Sequence, residues 1–205
     1  ANNGAQEYSK GWGFTVDYQG SANAAVADQV NVINNAVASG VDAICISSVD
    51  ATGLDSALTE AKEAGVTVVT WDSDVSDTAR TLMVSQGTPD LLGKMLVDMG
   101  ADSLTNRGKD TKNDTIKYCW HYSQATVADQ NSWQVAGEAY IKENFPNWEN
   151  VAPDNYYSEQ DAEKAVSIGA SILEAHSDID LIICNDSTAL PGQCKAAQNK
   201  GLTKE

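Results

Sequence analysis

Apolar residues recur along this chain in two alternating rhythms. Val26, Val30, Ile33 and Val37 fall three or four positions apart, the spacing of one buried face of an α-helix, and predict a helix over 23–39 that Gly40 terminates. Short β-branched runs alternate with such segments. Residues 43–47, 66–71 and 81–85 predict strands, 54–64 a helix closed by Gly65, 5–13 a short helix and 14–18 a strand. Thr88-Pro89 opens a helix reaching about residue 104, with proline in the first turn where its missing N–H is harmless. The stretch 105–114, TNRGKDTKND, is polar and has no apolar period, so it reads as a lobe boundary or a surface insertion. The rhythm then restarts, with strands over 115–122, 149–152 and 180–184 and helices over 129–144, 160–175 and 188–198. Strands alternating with helices predict an α/β protein with two parallel sheets flanked by helices and joined by right-handed crossovers. The polar stretch divides it into lobes at 1–110 and 111–205.

Composition narrows the chemistry. Among 205 residues, 42% are hydrophobic and four are proline, which describes an ordinary globular chain with no apolar run long enough to span a bilayer. No charged-then-apolar leader opens it, so a mature or a cytoplasmic form is expected. The 29 acidic residues outweigh 13 basic ones, for a formal charge of −16. That balance disfavours nucleic acid, anionic membranes and phosphorylated ligands, all of which are bound through Lys and Arg. Cys45, Cys119, Cys184 and Cys194 lack the spacing of a zinc or redox motif and read as reduced, buried small hydrophobes. His121 and His176 are far apart in sequence, so neither a metal nor a cofactor is expected. Nucleotide-binding glycine motifs and a nucleophile elbow are also missing.

The candidate chemistry lies where predicted strands stop. The run Val66-Thr67-Val68-Val69-Thr70-Trp71 ends at Asp72-Ser73-Asp74, Asp129-Gln130 follows the strand over 115–122, and Asn185-Asp186-Ser187 follows the strand over 180–184. Ligands of open parallel α/β sheets sit at the carboxyl ends of strands. A carboxylate there accepts hydrogen bonds only, which suits the hydroxyls of a small polyol. Each of these residues can equally be the N-cap of the next helix, and Asp74 opens a polar loop typical of turn chemistry. Recurrence at three strand ends favours a shared site. A glycosidase pair of Asp72 with Asp129 is the catalytic alternative, but carboxylates that hold sugar hydroxyls are the commoner arrangement. Trp71 and Trp120 lie in strands and are expected in the core, with one face of Trp71 as a candidate to reach the cleft, and Trp133 is expected to pack its helix rather than stack on a ligand.

Several short segments together resemble one family. These are Q-V-x-x-I-N-N at 29–35, T-W-D-S-D at 70–74, Q-G-T-P at 86–89, M-L-V-D-M at 95–99, D-Q-N-x-W at 129–133 and A-L-P at 189–191. They resemble the autoinducer-2-binding proteins of the Lsr transport system, within the type I periplasmic sugar-binding superfamily that also holds ribose- and rhamnose-binding proteins. The resemblance runs from about residue 4 to 198. It implies a two-lobed fold with a hinge between the lobes, and extracytoplasmic binding of a small neutral polyol for delivery to the membrane subunits of an ABC importer. It further implies a monomer that is not an enzyme, located in the periplasm or on the cell surface as a lipoprotein. Carried over by position, ligand contacts fall on Asp72, Asp129 and Gln130. The family's remaining contacts, a proline and an alanine acting largely through backbone, correspond to the stretch Asn185-Asp186-Ser187. That departure keeps a ribose- or rhamnose-type ligand open as an alternative to autoinducer-2. A sugar-responsive repressor shares the fold and is the alternative from another class. The family's first strand is expected before residue 2 and its last strands after residue 205.

Overall fold

Parallel strands cannot be joined by tight hairpins and need crossover segments, and this chain supplies them as helices. The structure, a computed structural model, describes residues 2–20 and 25–202. It begins with α1 (Asn2–Trp12) and α2 (Val26–Ala38), followed by β1 (Ala43–Ile46), α3 (Asp55–Glu63), β2 (Thr67–Trp71) and β3 (Leu82–Val84). Then come α4 (Pro89–Asn106), β4 (Ile116–Tyr122), α5 (Ala128–Asn144), β5 (Trp148–Asn150), β6 (Tyr156–Tyr157), α6 (Ala162–Ala175), β7 (Leu181–Cys184) and α7 (Ala189–Asn199). Positions 23 and 24 of the predicted second helix lie outside the described residues.

The first sheet is parallel in the order β1-β2-β3, with Ala43 opposite Thr67 and Val69 opposite Leu82. Ile33 of α2, Leu54 and Leu58 at α3, and Val68 of β2 bury against one another as its core. The second sheet centres on β4, and all its pairings are parallel. Tyr118 pairs with both Asn150 and Leu181, and His121 with both Tyr156 and Cys184. A strand has two edges, so β5 and β6 share one edge of β4 as an interrupted strand while β7 takes the other. The interruption is a turn in which Asn155 adopts a left-handed φ of 58° and which sequence periodicity did not foresee. Tyr118, Trp120 and Tyr122 alternate onto one buried face of β4 with Trp148 nearby. Their polar ends are satisfied by α5: the Tyr118 hydroxyl donates to Glu138 at 2.6 Å, the Trp120 indole N–H to Glu138 at 2.7 Å, and the Tyr122 hydroxyl to Gln134.

Helix α4 packs with the second sheet. Val97, Ala101 and Leu104 bury in the same core as Ile116 and Tyr118. At the α4–α5 crossing a Cβ on Gly93 would stand 2.5 Å from the Trp133 carbonyl oxygen and 2.6 Å from the Gly137 nitrogen. Two backbones approach this closely only where side chains are absent. Helix α4, which precedes the polar stretch 105–114, thus shares the core of the second sheet. That stretch is the surface turn from α4 into β4, tied down by Asn147 Nδ2 donating to the carbonyls of Lys112 and Asn113 at 3.1 and 3.2 Å.

Two further expectations change. Residues 14–18 form no strand, because an alternating pattern becomes one only beside an edge to pair with and no described residue pairs with them. Phe14 and Tyr18 are exposed. All four cysteines are free, but only Cys119 is buried and Cys184 partly so, whereas Cys45 and Cys194 are exposed. Cys45 lies on the outward side of β1, whose burial alternates along the strand. Burial pushes the Cys119 thiol up to about 12.

Candidate functional site

The carboxyl ends of the two sheets meet at a hollow of about 210 Å³. Asp72 enters it directly after β2, in a left-handed conformation with φ 62°, a strained backbone for a residue with a Cβ. Its N–H donates to the Val84 carbonyl at 3.3 Å, and its carboxylate accepts from the Ser47 hydroxyl at 3.3 Å. Asp129 enters from the other side, in the first turn of α5. The capping alternative fails for Asp129, since Val127 occupies the N-cap and no side chain caps that helix. Its carboxylate accepts instead from the Ser73 hydroxyl.

The two carboxylates lie close enough to affect one another. Burial, and then the negative charge of Asp129, holds the Asp72 carboxyl above the usual 3.8. Among the described residues, neither forms an ion pair with Lys or Arg. Asp74 also lines the hollow but is committed to the fold: Arg80 Nε bridges both its oxygens at 2.8 and 2.9 Å, and the Thr70 hydroxyl donates to it at 2.6 Å. Met83, Pro89 and Trp133 add an apolar side to the hollow. Trp133, expected to serve packing alone, lines the site because it follows Asp129 by one helical turn. Acceptor-only carboxylates beside an apolar wall suit a small ring that carries hydroxyls on its edges, and they repel anions.

The other expected site residues are placed differently. Gln130 is buried behind Asp129, its Oε1 accepting from the Ser123 hydroxyl at 2.9 Å and the Ser123 N–H at 3.3 Å. Asn185 donates from Nδ2 to the Gln130 carbonyl at 3.3 Å, tying the end of β7 to the first turn of α5. Asp186 braces the approach to α7, two residues before its Thr188 N-cap: its Oδ1 accepts from the N–H groups of Thr188 at 2.5 Å and Ala189 at 2.8 Å. Ser187 is exposed and lines a second hollow of about 240 Å³ between the amino ends of α6 and α7. Asp72 and Asp129 thus share one hollow, with Gln130 and Asn185 behind it, while neither Asp186 nor Ser187 lines it. Asn185 Oδ1, Asp186 Oδ2 and His121 Nε2 are buried with no hydrogen-bond partner among the described residues. Burial holds the His121 imidazole below 6.5, against the opposing pull of Gln193 and Asp186.

One contributor escaped the sequence reading. Gln29 of α2 donates from Nε2 to the Ser47 carbonyl at 2.8 Å and accepts at Oε1 from the Val49 N–H at 3.0 Å. It clamps the loop after β1 that presents Ser47 to Asp72. The available signal was a glutamine four residues before the buried Ile33, on the apolar stripe of its helix. Among the described residues, no group of three His, Cys, Asp or Glu side chains is arranged to hold a metal, and no helix is long and apolar enough to cross a membrane.

Two parallel α/β units whose strand ends face a shared polar hollow define a two-lobed α/β fold. The chain belongs to the periplasmic binding protein domain family, whose model matches residues 1–205. It is similar to LsrB from Clostridium saccharobutylicum in complex with AI-2, at 71% identity and a TM-score of 0.98, covering 99% of this chain and 62% of that one. Two ABC-transporter solute-binding proteins are more distant. The one from Clostridium phytofermentas with bound L-rhamnose is 25% identical, with a TM-score of 0.77 over 92% of this chain and 55% of that chain. The one from Agrobacterium vitis with bound D-fucose is 26% identical, with a TM-score of 0.80 over 92% and 62%. The chain spans less than two thirds of the length of each of these three relatives.

Proposed function

We propose that this protein is the solute-binding component of an ABC importer and takes autoinducer-2, abbreviated AI-2, as its ligand. The supporting observation is the pairing of Asp72 and Asp129, one from each side of a single hollow. The 71% identity with a protein solved with AI-2 supports the choice of ligand. The ligand's hydroxyls would donate to Asp72 and Asp129 while its ring lies against Trp133, and Gln130, held through Oε1 by Ser123, would offer its remaining N–H groups. Asn185, Asp186 and Ser187 complete the proposed set, Asn185 and Asp186 through their unpartnered buried oxygens. The lobes divide between β3 and α4, and closing them about the hinge brings the two carboxylates to the ligand. The protein binds rather than transforms its ligand. It acts outside the cytoplasm, free in the periplasm or anchored at the cell surface, as a monomer that docks on the importer's membrane subunits.

A ribose- or rhamnose-type ligand is the second reading. It draws on Asn185 Oδ1, a buried acceptor able to take one more hydroxyl, and on the rhamnose- and fucose-bound relatives. Calorimetric titration of the full-length protein with AI-2, L-rhamnose and D-ribose separates the two. AI-2 should bind tightest. Tight binding of a pentose or rhamnose with none of AI-2 would transfer the specificity to residues 185–187, and turnover of any of the three would replace binding by catalysis.

A further inference from the structure

Among the described residues, two hydrogen bonds pass directly from one packed unit to the other. Ser73, just beyond β2, donates to a carboxylate oxygen of Asp129 in α5. Thr126, in the loop before α5, donates from Oγ1 to the Val49 carbonyl beyond β1, at 3.2 Å. Both join a loop at the carboxyl edge of the first sheet to the segment that follows β4, the loop at Thr126 and the first turn of α5 at Asp129, so neither survives if the lobes swing apart. Both also rest on braced backbone. Gln29 clamps the loop that carries Val49, and Ser73 is 4% exposed.

We propose that Ser73 and Thr126 are positioning residues that latch the lobes closed, Ser73 by engaging one oxygen of Asp129 and leaving the other for the ligand. The proposal rests on the solute-binding reading above. Closure sets the like charges of Asp72 and Asp129 near one another, and among the described residues no cation pairs with either, so their repulsion favours opening of an empty cleft. A hydroxyl donor on Asp129 offsets part of that repulsion, and the donating hydroxyls of a polyol offset the rest. Ligand-free protein therefore samples the closed form, and ligand makes it dominant.

The test uses the full-length protein with Ser73→Ala, Ser73→Thr and Thr126→Val. Spin labels placed one on each lobe report the distance distribution, and stopped-flow binding of AI-2 reports rates. Ser73→Ala should reduce the ligand-free closed population and speed ligand dissociation about tenfold while barely changing association. Thr126→Val, which preserves shape at an exposed site, should speed dissociation about threefold. Ser73→Thr keeps the hydroxyl and should restore both readouts. A residue of structural importance alone would lower the melting temperature and leave distances and dissociation rate unchanged. Ligand-free distributions identical in the wild type and Ser73→Ala would overturn the latch, whether or not any ligand binds. Unmodified protein that binds neither AI-2 nor L-rhamnose would overturn the functional reading instead, with the ligand-free distances still deciding the latch.

Discussion

Replacing Asp129 by alanine sets a ligand-binding role against a structural one. A hydrogen bond to a charged group contributes about 1.5–3 kcal/mol net, so losing one that the ligand makes should weaken AI-2 binding roughly 10- to 150-fold. One effect opposes this loss. Removing Asp129 lifts its repulsion on Asp72, but burial is the larger cause of the raised Asp72 carboxyl and remains in the variant. The folded state gives up the favourable charge at the amino end of α5, about 0.3–1 kcal/mol, and the bond from Ser73. Relief of carboxylate repulsion acts in the other direction. Because Asp129 caps nothing, stability should move by no more than about 1 kcal/mol, or about 2–4 °C in melting temperature. Titration calorimetry of the full-length variant beside scanning calorimetry reads both quantities. The pH profile adds a sign. Ligand hydroxyls donate to ionised Asp72, so wild-type affinity holds at neutral pH and falls as pH drops through the raised Asp72 value, above 3.8. In Asp129→Ala that fall should move to lower pH. Unchanged affinity with a clear drop in melting temperature would refute the argument and make Asp129 a structural residue.

Three further outcomes are expected. Gly192→Ala places a methyl 2.3 Å from the Ala165 Cβ and 2.7 Å from its backbone carbon, so α6 and α7 must separate at a cost of about 1–3 kcal/mol; an unchanged denaturation midpoint would refute the close crossing. Cys45 and Cys194 should react quickly with a disulfide reagent, while Cys119 and Cys184, their thiols raised by burial, should wait for unfolding; four fast thiols would contradict the burial. His121 is held below 6.5, so the unfolded chain takes up its proton first. Its contribution to stability is whole above that pH and is lost as pH falls below it. Urea midpoints between pH 7 and 5 should fall less steeply in His121→Gln than in the wild type, and equal slopes would count against a neutral buried imidazole.

Local pattern made the chain's elements legible. The stripe of Val26, Val30, Ile33 and Val37 marked α2, the β-branched run before Asp72 marked β2, and Thr88-Pro89 marked the start of α4 with the Thr88 hydroxyl accepting from the Leu91 N–H. Each of these signals lies within a few residues of what it specifies. The same pattern misread 14–18, because strand formation needs a partner edge that alternation cannot supply. It also set a lobe boundary in the polar stretch 105–114, on either side of which α4 and β4 share one buried core.

The site divides in the same way. That carboxylates and amides stand at strand ends follows from the sequence alone, since a parallel strand and the turn after it are contiguous. Which of them meet does not follow. Asp129 and Asp186 occupy equivalent sequence contexts, yet one faces Asp72 across a hollow and the other accepts from the backbone N–H groups that open α7. Gln29, Ser73 and Thr126 gain their roles from residues 18 to 77 positions away. The sequence determined the kinds of group available and the secondary structure that carries them. Only the tertiary structure decided which groups face one another, because contacts between distant segments depend on how helices and sheets pack, and short-range pattern does not encode that packing.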